Sequence, residues 1–310
     1  MLDNGSVKIE AVANAPLAMT GTGDERRPGG VDMSVSDVPP IAETIDLDRY
    51  PIVPLGDARA QALAGDCRAQ LAVTGSCLLP GFLLPDAVAR MAAEAAAVAP
   101  LAHRKPGGRG ATAYLAPPDE SFPEGHPRRR LQTSSVGAVA YDLIPRGSLV
   151  RQLYEWDGLL NFLAAALGKD RLCRYADPLG ALNIAAMKQD EHLLWHFDQT
   201  DFVVSILLQD CERGGDFEYV PNIRDAAAEN YDRVWRLLDG DRGEVVRLDM
   251  APGTLALFMG RHSIHRVTPI AGSTLRLIAL LGYDTEPGTM SSERLKLARY
   301  GRTEPLAVIS

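Results

Sequence analysis

Cysteine is scarce in this sequence: there are four residues, Cys67, Cys77, Cys173 and Cys211, scattered without a C-x-x-C pair. That spacing excludes a disulfide framework and a zinc knuckle, so the cysteines read as reduced, ordinary side chains. No uninterrupted apolar run approaches the length of a membrane span. The opening MLDNGSVKIE lacks the basic start, apolar stretch and small-residue cleavage site of a secretory signal. A cytoplasmic protein with no membrane partner is therefore expected. Positive charge is short as well: a formal net charge of -8 leaves no basic surface for phosphate backbones and argues against a nucleic-acid partner. The local run HPRRR, His126 to Arg130, reads as a solvated loop. No repeat of fixed period occurs, which excludes a solenoid or propeller.

What is present suffices for a substantial core: 310 residues, 46% apolar and 23% charged. Residues 1–45 are rich in Gly, Pro, Ala, Asp and Ser without an apolar period, and are expected to form a flexible N-terminal tail that cannot offset its ordering entropy. Residues 46–178 read as a helical and mixed part packing on a core. Helical spacing runs from Asp57 to about Ala72 and from Pro85 to about Val98, with GSCLLPGFLL between them as a short strand. The stretch Arg104 to Arg130 holds several Gly and Pro and no period, which predicts a long irregular loop, a candidate lid. Ser148 can cap a single helix through LVRQLYEWDGLLNFLAAALG, ended by Gly168.

Beyond Leu179 the pattern turns to short β-type runs: ALNIAAMKQ, DFVVSILLQ, DFEYVP, EVVRLDM, GTLALF, HRVTPI and LRLIALLGY. Turn residues separate them, which predicts an antiparallel sandwich or barrel over residues 179–290. One helix, DAAAENYDRVWRLLDG, interrupts it. Residues 291–310 read as a C-terminal tail. The fold class expected is mainly β with flanking helices.

Within LLWHFDQTDF, His196 and Asp198 stand two apart, so on a strand both side chains project to one face while Phe197 turns away. Alone, such a pair is equally an edge-strand pair facing water. Of six histidines in the chain, four lie between His192 and His265. The last two, His262 and His265 in FMGRHSIHRVTPI, each offer a third donor, and a 2-His-1-carboxylate face is the ligand set of non-haem Fe(II) oxygenases. His192 is expected at solvent or behind the pair; Trp195 and Phe197 are expected in core or wall. Arg276 sits in LRLIALLGY, a strand otherwise apolar. A buried guanidinium there needs an anionic partner, either an acid from elsewhere in the core or a dicarboxylate cosubstrate.

The order HFD, GGDFEYVP, PGTLALF, HRVTPI and then an Arg in the next strand resembles the Fe(II)- and 2-oxoglutarate-dependent dioxygenases. More narrowly, WHFDQTDFVVSILLQ followed by GGDFEYVPNIRD resembles the subgroup of free amino acid hydroxylases and halogenases, over about Leu179 to Gly288. The resemblance implies a double-stranded β-helix (jelly-roll) core, with Fe(II), 2-oxoglutarate and O2 as cofactors. It implies His196, Asp198 and His265 as iron ligands, His265 being preferred to His262 because Arg-Val follows it, and Arg276 as the grip on the distal carboxylate of 2-oxoglutarate. The subgroup's halogenases have Gly or Ala where Asp198 stands here, so the expected reaction is hydroxylation of an unactivated C–H bond with release of succinate and CO2. The substrate implied is a small molecule, a free amino acid or a derivative. Its charges would need partners, for which Arg224, Arg104, Glu120 and Asp142 are candidates. Two alternatives remain open at this point: a cupin-like metalloenzyme that does not use 2-oxoglutarate, and a non-catalytic, metal-containing binding module.

Overall fold

Along the strands after Leu179 successive residues pack on opposite faces, nearly all of them buried in the larger sheet, and this alternation builds the molecule in the computed structural model, which describes residues 43–306. The expected N-terminal tail lies almost wholly outside the described residues. Ten strands form two sheets: β1 Ser76–Leu79, β2 Gly137–Val139, β3 Leu182–Met187, β4 Leu193–His196, β5 Val203–Gln209, β6 Phe217–Val220, β7 Val246–Leu248, β8 Leu255–Phe258, β9 Ile264–Val267 and β10 Arg276–Leu281. The larger sheet runs β1-β8-β5-β10-β3-β2 and the smaller β7-β6-β9-β4. Every pairing within them is antiparallel. From β3 to β10 each step crosses from one sheet to the other, except β6 to β7, which are neighbours in the smaller sheet.

The pleat sorts each strand into two faces. On the larger sheet Leu182, Ile184 and Ala186, Val204, Ile206 and Leu208, and Leu277, Ala279 and Leu281 join the main core with helix residues such as Met91, Tyr154 and Phe162. The alternate residues Ala185, Met187, Leu207 and Ile278 meet Val267 of β9, with Leu193 and Phe217 packed against them, so the two sheets face each other. Behind the smaller sheet, Trp195, Phe197, Val220 and Ile264 pack on Val234 and Leu237 of the helix Tyr231–Leu238.

The helices lie where spacing predicts them, except that DAAAENYDRVWRLLDG is helical only over Tyr231–Leu238 and that the stretch from Ser148 differs in two ways. Helix α1, Ala58–Thr74, is capped by Asp57, whose Oδ1 accepts from Arg59 N at 2.7 Å, and ends on Gly75 at φ 70. Helix α2, Pro85–Val98, starts on the proline. The single helix expected from Ser148 to Gly168 is two helices, α3 Leu149–Glu155 and α4 Asp157–Ala166, split at Trp156, which is extended at φ -78, ψ 127. The Trp156 ring folds over Gly158 so closely that a β-carbon there would strike it. Ser148 does not cap. Its hydroxyl donates to Pro145 O, and Glu94 Oε2 accepts from Leu149 N at 2.7 Å instead.

Residues 291–310, expected as a tail, hold the helix Glu293–Tyr300, whose cap Ser292 accepts from Leu295 N. In the expected loop 104–130, Arg109–Ala111 pairs with Gln132–Ser134, and the rest is turns. No described helix is long and apolar enough to cross a membrane.

Candidate functional site

His196 ends β4 and His265 lies in β9, and the antiparallel register sets their Cα atoms directly opposite each other. Both point into the space between the sheets, because the residues preceding them, Trp195 and Ile264, are claimed by the core behind. The rings lie 4.2 Å apart between centroids, with Phe217 stacked on His265 at 5.3 Å and Phe258 edge-on to it at 4.8 Å. His196 Nδ1 donates to Leu194 O at 2.7 Å and His265 Nδ1 to Ser263 O at 3.0 Å. A carbonyl only accepts, so in each ring the proton sits on Nδ1 and Nε2 presents its lone pair. Burial, with His265 next to it, pulls His196 down to about 4, so its imidazole is neutral at pH 7, the form that binds a metal.

Asp198 follows the end of β4, and its N–H donates to Gly260 O at 3.0 Å. Its Oδ1 lies 4.0 Å from His196 Nε2 and its Oδ2 3.5 Å from His265 Nε2. Donor atoms of the three residues fall within 4.8 Å of one another, and no other such group of three or more occurs among the described residues. His262 stands apart from the cluster: its carbonyl accepts from Arg224 N. His192 hydrogen-bonds Asp190 O and Thr133 O through its two ring nitrogens.

Arg276 starts β10, and with Ile278 and Leu280 it faces inward while Leu277 and Ala279 face the helices. It is 3% exposed, and its guanidinium makes no hydrogen bond or ion pair with a described residue. Burial pulls its pKa below the ordinary value, partly countered by Asp210 and Cys211. A cavity of about 400 Å³ is lined by His196, Asp198, His265 and Arg276 together. Two nitrogen donors and a carboxylate at one place, and an unneutralised buried guanidinium at another, suit a divalent iron and an elongated anion ending in a carboxylate.

The four residues proposed for substrate do not line this cavity. Arg224 pairs with Glu229 at 3.0 Å and lies over the Phe197 ring at 3.9 Å. Arg104 is bound to Glu191 at 3.0 Å and to Ala186 O. Asp142 accepts from Arg302 at 2.7 Å and from Leu306 N. Glu120 is exposed on the long loop. In their place the cavity is lined by Asn183, Ser205 and Arg299. Asn183 and Ser205 are the lone polar residues of the runs LNIAAM and VVSILL, the signal that singled out Arg276 and that equally marks them. Arg299 carried no such mark.

A family model described as Halogenase D matches residues 123–294, more than half of the chain. Comparison with curated protein sequences found no match. Among solved structures, the non-heme alpha ketoglutarate dependent carbocyclase SnoK from nogalamycin biosynthesis is similar with a TM-score of 0.52 at 16% identity, over 80% of this chain and 95% of that one. An oxidoreductase of the 2OG-Fe(II) oxygenase family from Burkholderia pseudomallei gives 0.46 at 17% identity, over 72% and 91%. A prolyl hydroxylase from Trichoplax adhaerens gives 0.48 at 16% identity, over 74% and 92%. The carbocyclase likeness shows a shared fold, and the family match does more: the chain belongs to the Halogenase D family.

Proposed function

We propose that this enzyme hydroxylates an unactivated C–H bond of a small molecule, an amino acid or a derivative of one, and does not chlorinate it. The observation that carries the reading is Asp198. Its carboxylate stands against both Nε2 atoms, at 4.0 and 3.5 Å, where the halogenases that the sequence resembles have no side-chain donor. We read the two sheets, with strands crossing between them, as a double-stranded β-helix whose core is residues 179–290.

His196, Asp198 and His265 would hold Fe(II), as two imidazole nitrogens and one carboxylate. Arg276 takes one carboxylate of 2-oxoglutarate as a charge-assisted partner, which answers its unneutralised burial. When bound, iron with 2-oxoglutarate and O2 supplies the oxidising power that hydroxylates the carbon, and 2-oxoglutarate leaves as succinate and CO2. The protein's own part is orientation. The Leu194 and Ser263 carbonyls fix both rings, while Phe217 and Phe258 wall them from water. We place the reaction in the cytoplasm, where the four cysteines, all free, stay reduced.

The experiment is an anaerobic titration of metal-free protein with Fe(II) and then 2-oxoglutarate, followed through the visible charge-transfer band of the chelate. The band is expected to vanish in His265→Ala and to need far more 2-oxoglutarate in Arg276→Ala. No band in the unmutated protein overturns the cofactor assignment. Chlorinated product from the unmutated protein in chloride buffer overturns the reaction assignment.

A further inference from the structure

A second cavity, of about 260 Å³, opens beside the first and is lined by Arg109, Gln132, Ser134, Asn183, Arg294 and Arg299 among others. His196 and Arg299 line both cavities, so the two are continuous past the metal face. No Asp or Glu lines the second one. Arg109 comes from the short strand Arg109–Ala111 and Arg299 from the helix Glu293–Tyr300. Both are half-buried, and neither forms an ion pair with a described carboxylate.

The acids nearby are already engaged. Glu191 holds Arg104 at 3.0 Å and accepts from Lys188 N at 2.9 Å. Asp177 holds Lys296 at 3.5 Å and accepts from Leu179 N and Ser291 N. Burial, and after it the charge of Arg299, holds Arg109 down to about 10. Two half-buried guanidiniums, with the exposed Arg294 beside them, line one cavity that holds no carboxylate, an arrangement that an anion neutralises.

We propose, building on the oxygenase reading above, that the substrate is a compact dianion, a phosphate monoester or a dicarboxylate, gripped between Arg109 and Arg299. One negative charge would leave the second guanidinium uncompensated. A cationic amino acid would add a fourth positive charge to a lining that holds Arg109, Arg294 and Arg299 and no carboxylate. In the adjoining cavity the carboxylates are Asp198, in the metal face, and Asp284, whose Oδ1 accepts from Glu286 N in its own turn. Arg299, shared by both cavities, sets the anionic end so that the carbon chain runs past His196 toward the open side of the metal face.

The test is calorimetric titration of the metal-free, full-length protein with inorganic phosphate, malonate and L-lysine. Each is repeated in Arg276→Gln, which removes binding at that guanidinium. Expected is one site per chain for phosphate or malonate that persists in Arg276→Gln. It weakens more than tenfold in Arg109→Gln and in Arg299→Gln, and recovers in part in Arg109→Lys and Arg299→Lys, which keep the charge and the fold. Phosphate binding alone identifies a phosphate monoester, and malonate binding alone a dicarboxylate. No binding of either dianion, tighter binding of L-lysine, or a loss confined to Arg276→Gln overturns the proposal. Because neither iron nor 2-oxoglutarate is present, dianion binding without any later succinate formation would count against the oxygenase reading and leave the site standing.

Discussion

Gly260 is the wall behind Asp198: its carbonyl accepts the Asp198 N–H at 3.0 Å, and a β-carbon on it would come within 2.6 Å of Asp198 Cγ and closer still to Oδ2. No real β-carbon tolerates such an approach, so a side chain at 260 must push the carboxylate off its place between the two imidazoles. Gly260→Ala is therefore expected to weaken Fe(II) binding at least tenfold while the sheets stay intact, since the strain falls on one movable side chain. Metal titration with a far-ultraviolet melt beside it reads both. Unchanged iron affinity in a folded Gly260→Ala protein would remove Asp198 from the ligand set.

Arg276 sets function against stability. An almost fully buried guanidinium without a partner costs on the order of 2 kcal/mol relative to an apolar side chain of similar length. Arg276→Met is thus predicted to unfold at a higher temperature than the unmutated protein when no 2-oxoglutarate is present, and to lose the stabilisation that 2-oxoglutarate confers through binding. Two thermal scans, with and without metal and cosubstrate, decide the matter. A variant less stable than the parent without ligand would mean that the guanidinium has a partner in the folded chain.

Much of this was legible in the sequence, and the reason is parity. In the strands after Leu179, apolar residues fill most inward positions and every outward one of β3, β5, β8 and β10. The exceptions, His196, His265 and Arg276, therefore stand out by type, and their shared face follows from the two-residue repeat. The same logic reaches Asn183 and Ser205. Arg109 and Arg299 were not legible, because an Arg on a loop or an amphipathic helix looks like any solvated charge. Only the tertiary fold reveals that no acid faces them. The break at Trp156 was hidden for a similar reason. Helical spacing continues through it, and the ring's fit over Gly158 is a contact that no local preference announces.

The long loop carries Leu115, in the left-handed region at φ 53, into the wall of both cavities. Its far end is tied down at the helix Tyr231–Leu238. Arg128 donates to Tyr231 Oη at 2.7 Å and to Glu229 at 3.0 Å, and Phe122 stacks on His126, which meets the Tyr231 ring edge-on. Removing Arg128 forfeits charged hydrogen bonds and a cation–π contact with Tyr114, together on the order of 1–2 kcal/mol in this partly exposed setting. Arg128→Ala should raise hydrogen exchange across residues 112–131 roughly tenfold, the factor that about 1.4 kcal/mol represents, and leave β3, β5 and β10 unchanged. Equal acceleration in those strands would show that the loop is part of the core and not a lid.

Asp177 gives the cavity wall a pH dependence whose sign can be worked out. Burial alone would raise its pKa, but N–H donors from Leu179, Ser291 and Gly180 and the Ser291 hydroxyl outweigh that and hold it below the ordinary carboxylate value. A depressed folded pKa means the protonated form is favoured less in the folded chain than in the unfolded one. The stabilisation is then complete above the unfolded value, about 3.9, and is lost as pH falls through the lower folded one. What it stabilises is local: Asp177 anchors Ser291 N at 3.0 Å and Lys296 at 3.5 Å, and so the helix that carries Arg299. Amide protection of Glu293–Tyr300 is therefore expected to fall off below about pH 3.9, ahead of the sheets. Asp177→Asn, which keeps the shape but leaves the Lys296 ammonium uncompensated, should cost about 2–4 kcal/mol and abolish that acid step. An acid step that survives in Asp177→Asn would assign it to another carboxylate.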